Sequence, residues 1–202
     1  VDYSLNIIKR NTLIINKALN LNITRDDLNK KKPFLFYENV SMDEYISKEL
    51  RNILFVPGAS FDSKMYPPEK FAQISNEING NFIIIWGSSY EKLIAEKIKI
   101  LSPKVRIINK LTLNNLKVLI SQVDLVIGSD TGPTHMAWAL NVASISLFGP
   151  TPGYRNTYET KINKIIESKS EVNPLKIDKT DFSIKDIEVQ EIVKASKDLL
   201  NQ

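Results

Sequence analysis

Cysteine is absent from this sequence and histidine occurs once. Disulfides, thiolate metal sites and His-rich metal centres are therefore excluded. No acidic pair suited to an oxygen-ligated divalent ion is evident either, so neither a metal nor a cofactor is expected. The lack of cysteine fits a reducing compartment without establishing one. No apolar run approaches the roughly 20 residues that span a bilayer. Val1 opens the chain without a basic, apolar, small-residue leader, so no signal peptide is expected, and the missing initiator methionine points to a fragment or a processed chain. Basic residues interleaved with aromatics, as nucleic-acid readers carry them, are not found. No G-x-G-x-x-G follows any apolar run, which argues against a dinucleotide-dependent dehydrogenase, and the spacing of a P-loop is missing as well.

What remains is a chain of 202 residues, 43% hydrophobic, enough for one sizeable core with extra helix at its ends. The formal net charge of +4 is modest. Its one dense basic run, Lys30-Lys31-Lys32, reads first as a solvated linker and second as a contact for phosphate or an anionic membrane.

The pattern changes at residue 51. Before it, residues 4–20 carry a helical apolar stripe and 22–33 read as a polar linker closed by Pro33. Residues 34–37 read as an edge strand and 41–50 as a short helix. After it, short apolar runs alternate with helical stretches. Strands are expected at 53–56, 82–86, 105–108, 124–128, 143–148 and 163–167, and helices at 67–79, 89–101, 113–122, 132–140 and 186–200. Alternation of this kind predicts an α/β, Rossmann-like parallel sheet with helices on both faces. Two regions follow: an N-terminal helix and linker over 1–50, and the α/β domain over 51–202.

Open parallel sheets bind ligands beyond the carboxyl ends of their strands, so the loops after each strand are the ones to read. Gly58-Ala-Ser-Phe-Asp-Ser-Lys64 offers small residues, through which backbone N–H groups approach an anion, and then a lysine; it also reads as a plain turn with a solvated Lys64. In Trp86-Gly-Ser-Ser-Tyr-Glu91, the acid complements the start of the next helix or accepts from a ribose diol, the first being favoured by spacing. Thr112 is a candidate N-cap, and Leu111 is either core or a wall for a flat base. Gly128-Ser-Asp-Thr-Gly-Pro-Thr-His135 is the strongest block. A buried strand ends at Asp130, and Thr131, Gly132 and Pro133 open a helix whose free N–H groups and positive dipole end suit a diphosphate. Asp130 reads as a sugar-hydroxyl acceptor or a cap, and His135 as a phosphate donor or a core histidine. Thr151, in the Phe148-Gly-Pro-Thr-Pro-Gly-Tyr-Arg155 loop, faces the same edge.

Ser129-Asp-Thr-Gly-Pro-Thr-His-Met-Ala-Trp-Ala-Leu140 followed by Ser146-Leu-Phe-Gly-Pro-Thr151 resembles the signature of glycosyltransferase family nine, the ADP-heptose:lipopolysaccharide heptosyltransferases. Lys64, Trp86-Gly87 with Glu91, and Asn109-Lys-Leu-Thr-Leu113 fall in the same order and spacing. The resemblance implies the C-terminal, donor-binding half of a two-domain GT-B enzyme, its final helix crossing back to the other half. It implies an inverting displacement in which heptose passes from ADP-L-glycero-D-manno-heptose to the lipopolysaccharide inner core, on Kdo or on heptose. By that likeness Ser60 and Lys64 contact the donor phosphates or sugar, Glu91 the ribose and Leu111 the adenine. Asp130 then holds heptose hydroxyls, and Thr131, Gly132 and His135 the diphosphate region. The implied location is cytoplasmic, on the inner face of the inner membrane, with peripheral contact there and a lipid A–Kdo acceptor held by the other half. Ala59 departs from a hydroxyl residue common in that loop. The family's Gly-rich acceptor loop and catalytic Asp match nothing in residues 1–50, so no catalytic base is expected in this stretch. The 151–155 loop leans toward the first heptosyltransferase, which adds to Kdo. Two other readings stand beside this one: a nucleotide-sugar-binding module without chemistry, and a GT-B transferase using a UDP-sugar.

Overall fold

The computed structural model describes residues 1–201. Six strands form one wholly parallel sheet: β1 (Asn52–Val56), β2 (Asn81–Ile84), β3 (Val105–Ile107), β4 (Leu125–Ser129), β5 (Ala143–Phe148) and β6 (Asn163–Glu167). Their order across the sheet is β3-β2-β1-β4-β5-β6. The chain thus winds outward from β1 in one direction, then returns to its other side, and the crevice between β1 and β4 is where such sheets place ligands. Ile53 pairs with Leu125 and Val56 with Gly128, which brings the two loops that follow these strands side by side.

Both faces of the sheet are dry because successive strand residues alternate between two apolar layers. Ile53, Phe55, Phe82, Ile84, Leu125 and Ile127 meet α3 (Pro68–Glu77), α4 (Ser89–Leu101) and α8 (Val189–Leu200). Leu54, Val56, Ile83 and Val126 meet α5 (Leu113–Gln122) and α6 (Gly132–Ala139). Phe55 sits between Phe71 and Phe82, with ring centroids 5.0 and 5.2 Å away. Helix starts follow local chemistry. Ser88 and Glu91 cap α4 reciprocally, Thr112 caps α5, and Pro68 opens α3.

α1 (Ile7–Leu19), α2 (Arg25–Asn29) and the segment after them differ from the rest. No residue of α1 is buried. The expected linker over 22–33 contains α2, started by a Thr24–Asp27 capping box. The edge strand expected at 34–37 does not form. Its backbone is claimed by helix partners instead: Phe34 N donates to Ala139 O, Lys117 donates to Phe36 O, and the Asn114 amide bridges Glu38 N and O. The short helix expected at 41–50 is a run of turns. There the Asn52 side chain grips Ser47 N and O, and Ser47 Oγ accepts from Glu49 and Leu50 N, which competes with helical bonding. A short helix, α7 (Gly153–Asn156), follows β5. The final helix starts at Val189, not at 186, and packs on α3 and the sheet. Its apolar stripe, Val189, Ile192, Val193 and Leu199, is buried in the core of this domain. Among the described residues no helix is long and apolar enough to cross a membrane.

Candidate functional site

A cavity of about 600 Å³ opens at the carboxyl ends of β1, β2 and β4. Val56, Ile85, Leu111 and Leu116 give it an apolar wall. Facing them are the Gly58–Ser60 loop, the Trp86–Gly87 turn with Glu91, and the start of α6 with Asp130 and His135.

α6 begins directly where β4 ends. Its N-cap is Thr131, whose backbone is extended and whose side chain does not close the cap. The alternative reading of Asp130 as a capping residue does not hold: Asp130 lies one residue before the N-cap and its carboxylate turns to other side chains. Thr134 Oγ1 donates to Ser129 O and pins the turn. Gly132 is exposed with open space where a Cβ would stand, and Pro133 carries no N–H, so the first turn presents its amide hydrogens and positive end to the cavity.

Asp130 is the hub. Its Oδ2 receives Lys64 Nζ at 2.8 Å, Thr151 Oγ1 at 3.1 Å and Asn156 Nδ2 at 3.2 Å, while His135 Nε2 lies 3.0 Å from Oδ1. Burial pushes the Asp130 carboxyl up, but the His135 hydrogen bond and the Lys64 charge outweigh it and hold the group well below the ordinary carboxylate range. Lys64 reaches it from a single 3-10 turn, Asp62–Lys64, and is itself buried, so the solvated reading of Lys64 does not hold.

Glu91 serves the helix start, as its spacing favoured: its Oε2 accepts from Gly87 N and from Ser88 N at 3.1 Å. The carboxylate nevertheless lines the cavity and presses on Gly58, where a Cβ would fall 2.4 Å from Oε1. Only glycine allows the β1 loop and the α4 start to approach this closely. Trp86 is anchored by its Nε1 to Ile108 O at 2.8 Å, which fixes the turn beside it.

Seven of the eight residues singled out from the sequence line this one cavity: Ser60, Glu91, Leu111, Asp130, Thr131, Gly132 and His135. The eighth, Lys64, stands behind Asp130. Asn156 went unnoticed in the sequence, since its reach to Asp130 depends on how α7 packs against β5 and β6. Thr151 is buried beside it, and the Phe-Gly-Pro-Thr block was the signal for it.

Residues 1–181 match the family model described as "Glycosyltransferase family 9 (heptosyltransferase)". The chain is 35% identical to lipopolysaccharide heptosyltransferase 1 of Campylobacter coli over 98% of its own length and spans 63% of that relative. Among solved structures it is similar to the E. coli heptosyltransferase WaaC with ADP, with a TM-score of 0.63 at 16% identity, covering 74% of this chain and 44% of that one. It is also similar to E. coli ADP-heptose lps heptosyltransferase II, with a TM-score of 0.64 at 21% identity, covering 85% and 56%.

Proposed function

The chain belongs to glycosyltransferase family 9, the heptosyltransferases, and on that premise we propose that its cavity binds ADP-L-glycero-D-manno-heptose as the donor of an inverting transfer to the lipopolysaccharide inner core. The observation that carries the proposal is the convergence of the α6 N-terminus, Asp130 and His135 on one cavity with an apolar wall, with Lys64 held against Asp130 from behind. The adenine lies against Leu111 and Leu116, the ribose hydroxyls reach the free face of Glu91, and the diphosphate meets the Thr131–Gly132 turn. WaaC of E. coli, which shares this fold, has been seen with ADP.

In the displacement, an acceptor hydroxyl attacks the anomeric carbon, that carbon's bond to the phosphate oxygen breaks, and ADP departs with the electron pair. Charge growing on the leaving diphosphate is met by fixed donors: the amides of the α6 start, His135, and the Lys64 ammonium behind Asp130. Asp130 keeps Lys64 and His135 in place, and its Oδ1, which meets His135 alone, is the oxygen we assign to a sugar hydroxyl. Ser60, exposed on the β1 loop, faces the sugar.

Transfer also needs a base to take the acceptor proton. Of the two carboxylates lining the cavity, Glu91 is tied to the start of α4 and Asp130 to four side chains. On this reading residues 51–202 form the donor-binding domain, and residues 1–50 are a helix and linker that belong to the approach from the other half. The base and the site for a lipid A–Kdo acceptor belong to a facing domain, and the reaction takes place at the cytoplasmic face of the inner membrane.

Calorimetric titration of the chain with ADP, UDP and GDP tests the reading. ADP binding that weakens in Lys64→Met is the expected result. A preference for UDP would instead favour a UDP-sugar transferase, and ADP binding with no transfer after addition of the facing domain would favour a module without chemistry.

A further inference from the structure

A second polar pocket lies at the opposite edge of the sheet. It has a volume of about 710 Å³ and sits beneath the first residues of β6, between α2 and the Trp138–Asn141 end of α6. Four cations line it, Arg25, Lys31, Lys161 and Lys164, against one carboxylate, Glu159. Among the described residues none of the four forms an ion pair; the neighbouring Lys30 is already paired with Asp26. Four like charges against a single carboxylate repel one another on balance, and an anion relieves that repulsion.

The pocket is held in shape by its own residues. The Lys31 ammonium lies 4.5 Å from the centre of the Trp138 ring and donates to Trp138 O and Asn141 Oδ1, while Asn141 Nδ2 donates back to Lys31 O. An ammonium has three donors, so one remains for a ligand. Burial holds the Lys31 amine below its ordinary value, a penalty that a bound anion offsets. Asn163, at the start of β6, is locked by bonds to Val142 O and Ser144 Oγ and fixes where Lys164 begins.

We propose that this pocket is an anion site for a phosphate-bearing ligand, separate from the donor cavity. β5 runs between the two edges, so the sites lie about 17–20 Å apart at roughly 3.3 Å per strand residue. A slot of about 490 Å³ adjoins the pocket and shares Arg25, Leu28 and Glu159 with it. Leu13, Ile23 and Ile165 make that slot apolar, so a phosphate carrying a hydrocarbon chain fits the same place as a free one.

The chain has two tryptophans, and Trp86 lines the donor cavity, so in a Trp86→Phe background the emission of Trp138 reports on this pocket. The full chain is titrated with inorganic pyrophosphate and, separately, with phosphatidylglycerol vesicles, using phosphatidylcholine vesicles as control. A saturable change with either anionic probe is expected, and it weakens at least about tenfold in Lys161→Glu/Lys164→Glu, two substitutions at the pocket mouth that reverse charge beside the anion. A response to vesicles alone identifies a lipid headgroup; a response to pyrophosphate identifies a soluble phosphate. ADP binding in the double variant stays within twofold of the parent, which separates this site from the donor reading. No response to either probe, or a response that the double variant leaves intact, overturns the proposal.

Discussion

Lys64 and Asp130 form an ion pair at 2.8 Å in which each side chain is about nine-tenths buried. The two come from loops after neighbouring strands, β1 and β4, and the pair ties those loops together at the floor of the cavity. A buried pair adds little net stability, but removal of one member strands the other's charge. Asp130→Asn leaves the Lys64 ammonium buried without a counter-charge and should cost about 3–5 kcal/mol. Lys64→Met leaves Asp130 with His135, Thr151 and Asn156, so its cost should be smaller. Urea unfolding of the two single variants and of the double variant checks this. A double variant no more damaged than Asp130→Asn alone is expected, and simple additivity would show that the two residues act independently.

Acid sensitivity should carry the mark of Asp130. Its folded carboxyl is held below the ordinary value of 3.8, because the His135 and Lys64 contacts overcome the opposing effect of burial. A depressed carboxyl contributes stability that is complete above the unfolded value and is lost as pH falls through the folded one. Unfolding free energy measured stepwise downward from about pH 5 should therefore fall more steeply in the parent than in Asp130→Asn. Parallel slopes would mean that the carboxylate contributes no such term.

Glu91 joins two tasks that substitution can separate. Glutamine keeps the reciprocal cap with Ser88, so Glu91→Gln should hold stability to within about 0.5 kcal/mol. If the carboxylate accepts from a ribose diol, ADP affinity should nonetheless drop about five- to tenfold, because glutamine replaces a charge-assisted hydrogen bond by a neutral one at a cost of about 1–1.4 kcal/mol. Gly58→Ala drives a methyl into that carboxylate and should lower both quantities, with about 1–3 kcal/mol lost in stability. Calorimetry and thermal unfolding on the same samples decide it.

Asn156 should matter although it does not line the cavity. Its amide donates to Asp130 and accepts from Arg155, which also donates to Tyr3 O. Asn156→Asp places a second carboxylate against Asp130 and should weaken ADP binding several-fold, whereas Asn156→Ala removes one hydrogen bond of about 1 kcal/mol. A steeper loss in the Asp variant than in the Ala variant marks an electrostatic positioning role. Equal losses would mark simple loosening of α7.

Much of the architecture was readable in advance because the signals were local. Continuous apolar runs of four to six residues between amphipathic helices announce strands buried on both faces, and β5, β6, α4 and α5 begin and end where the pattern placed them. The stretch before β1 was misread for the opposite reason. Phe34–Tyr37 is apolar enough for a strand, yet it bonds Ala139 and Lys117, and Glu38 just after it bonds Asn114; no local pattern declares partners more than 70 residues away. α8 was legible as a helix, but its docking face became clear only against α3 and β5.

Strand and helix periods and turn residues act over a few positions, so the parallel sheet and the loops after β1, β2, β3 and β4 that line the cavity were legible from local pattern. The sequence by itself also placed a glycine and a proline at the start of α6. Tertiary structure alone decided what the charged groups do. Lys64, Thr151 and Asn156 meet Asp130 only once the sheet sets β1, β4 and β5 in their order, and an ion pair excluded from water exists only when the surrounding chain has closed around it.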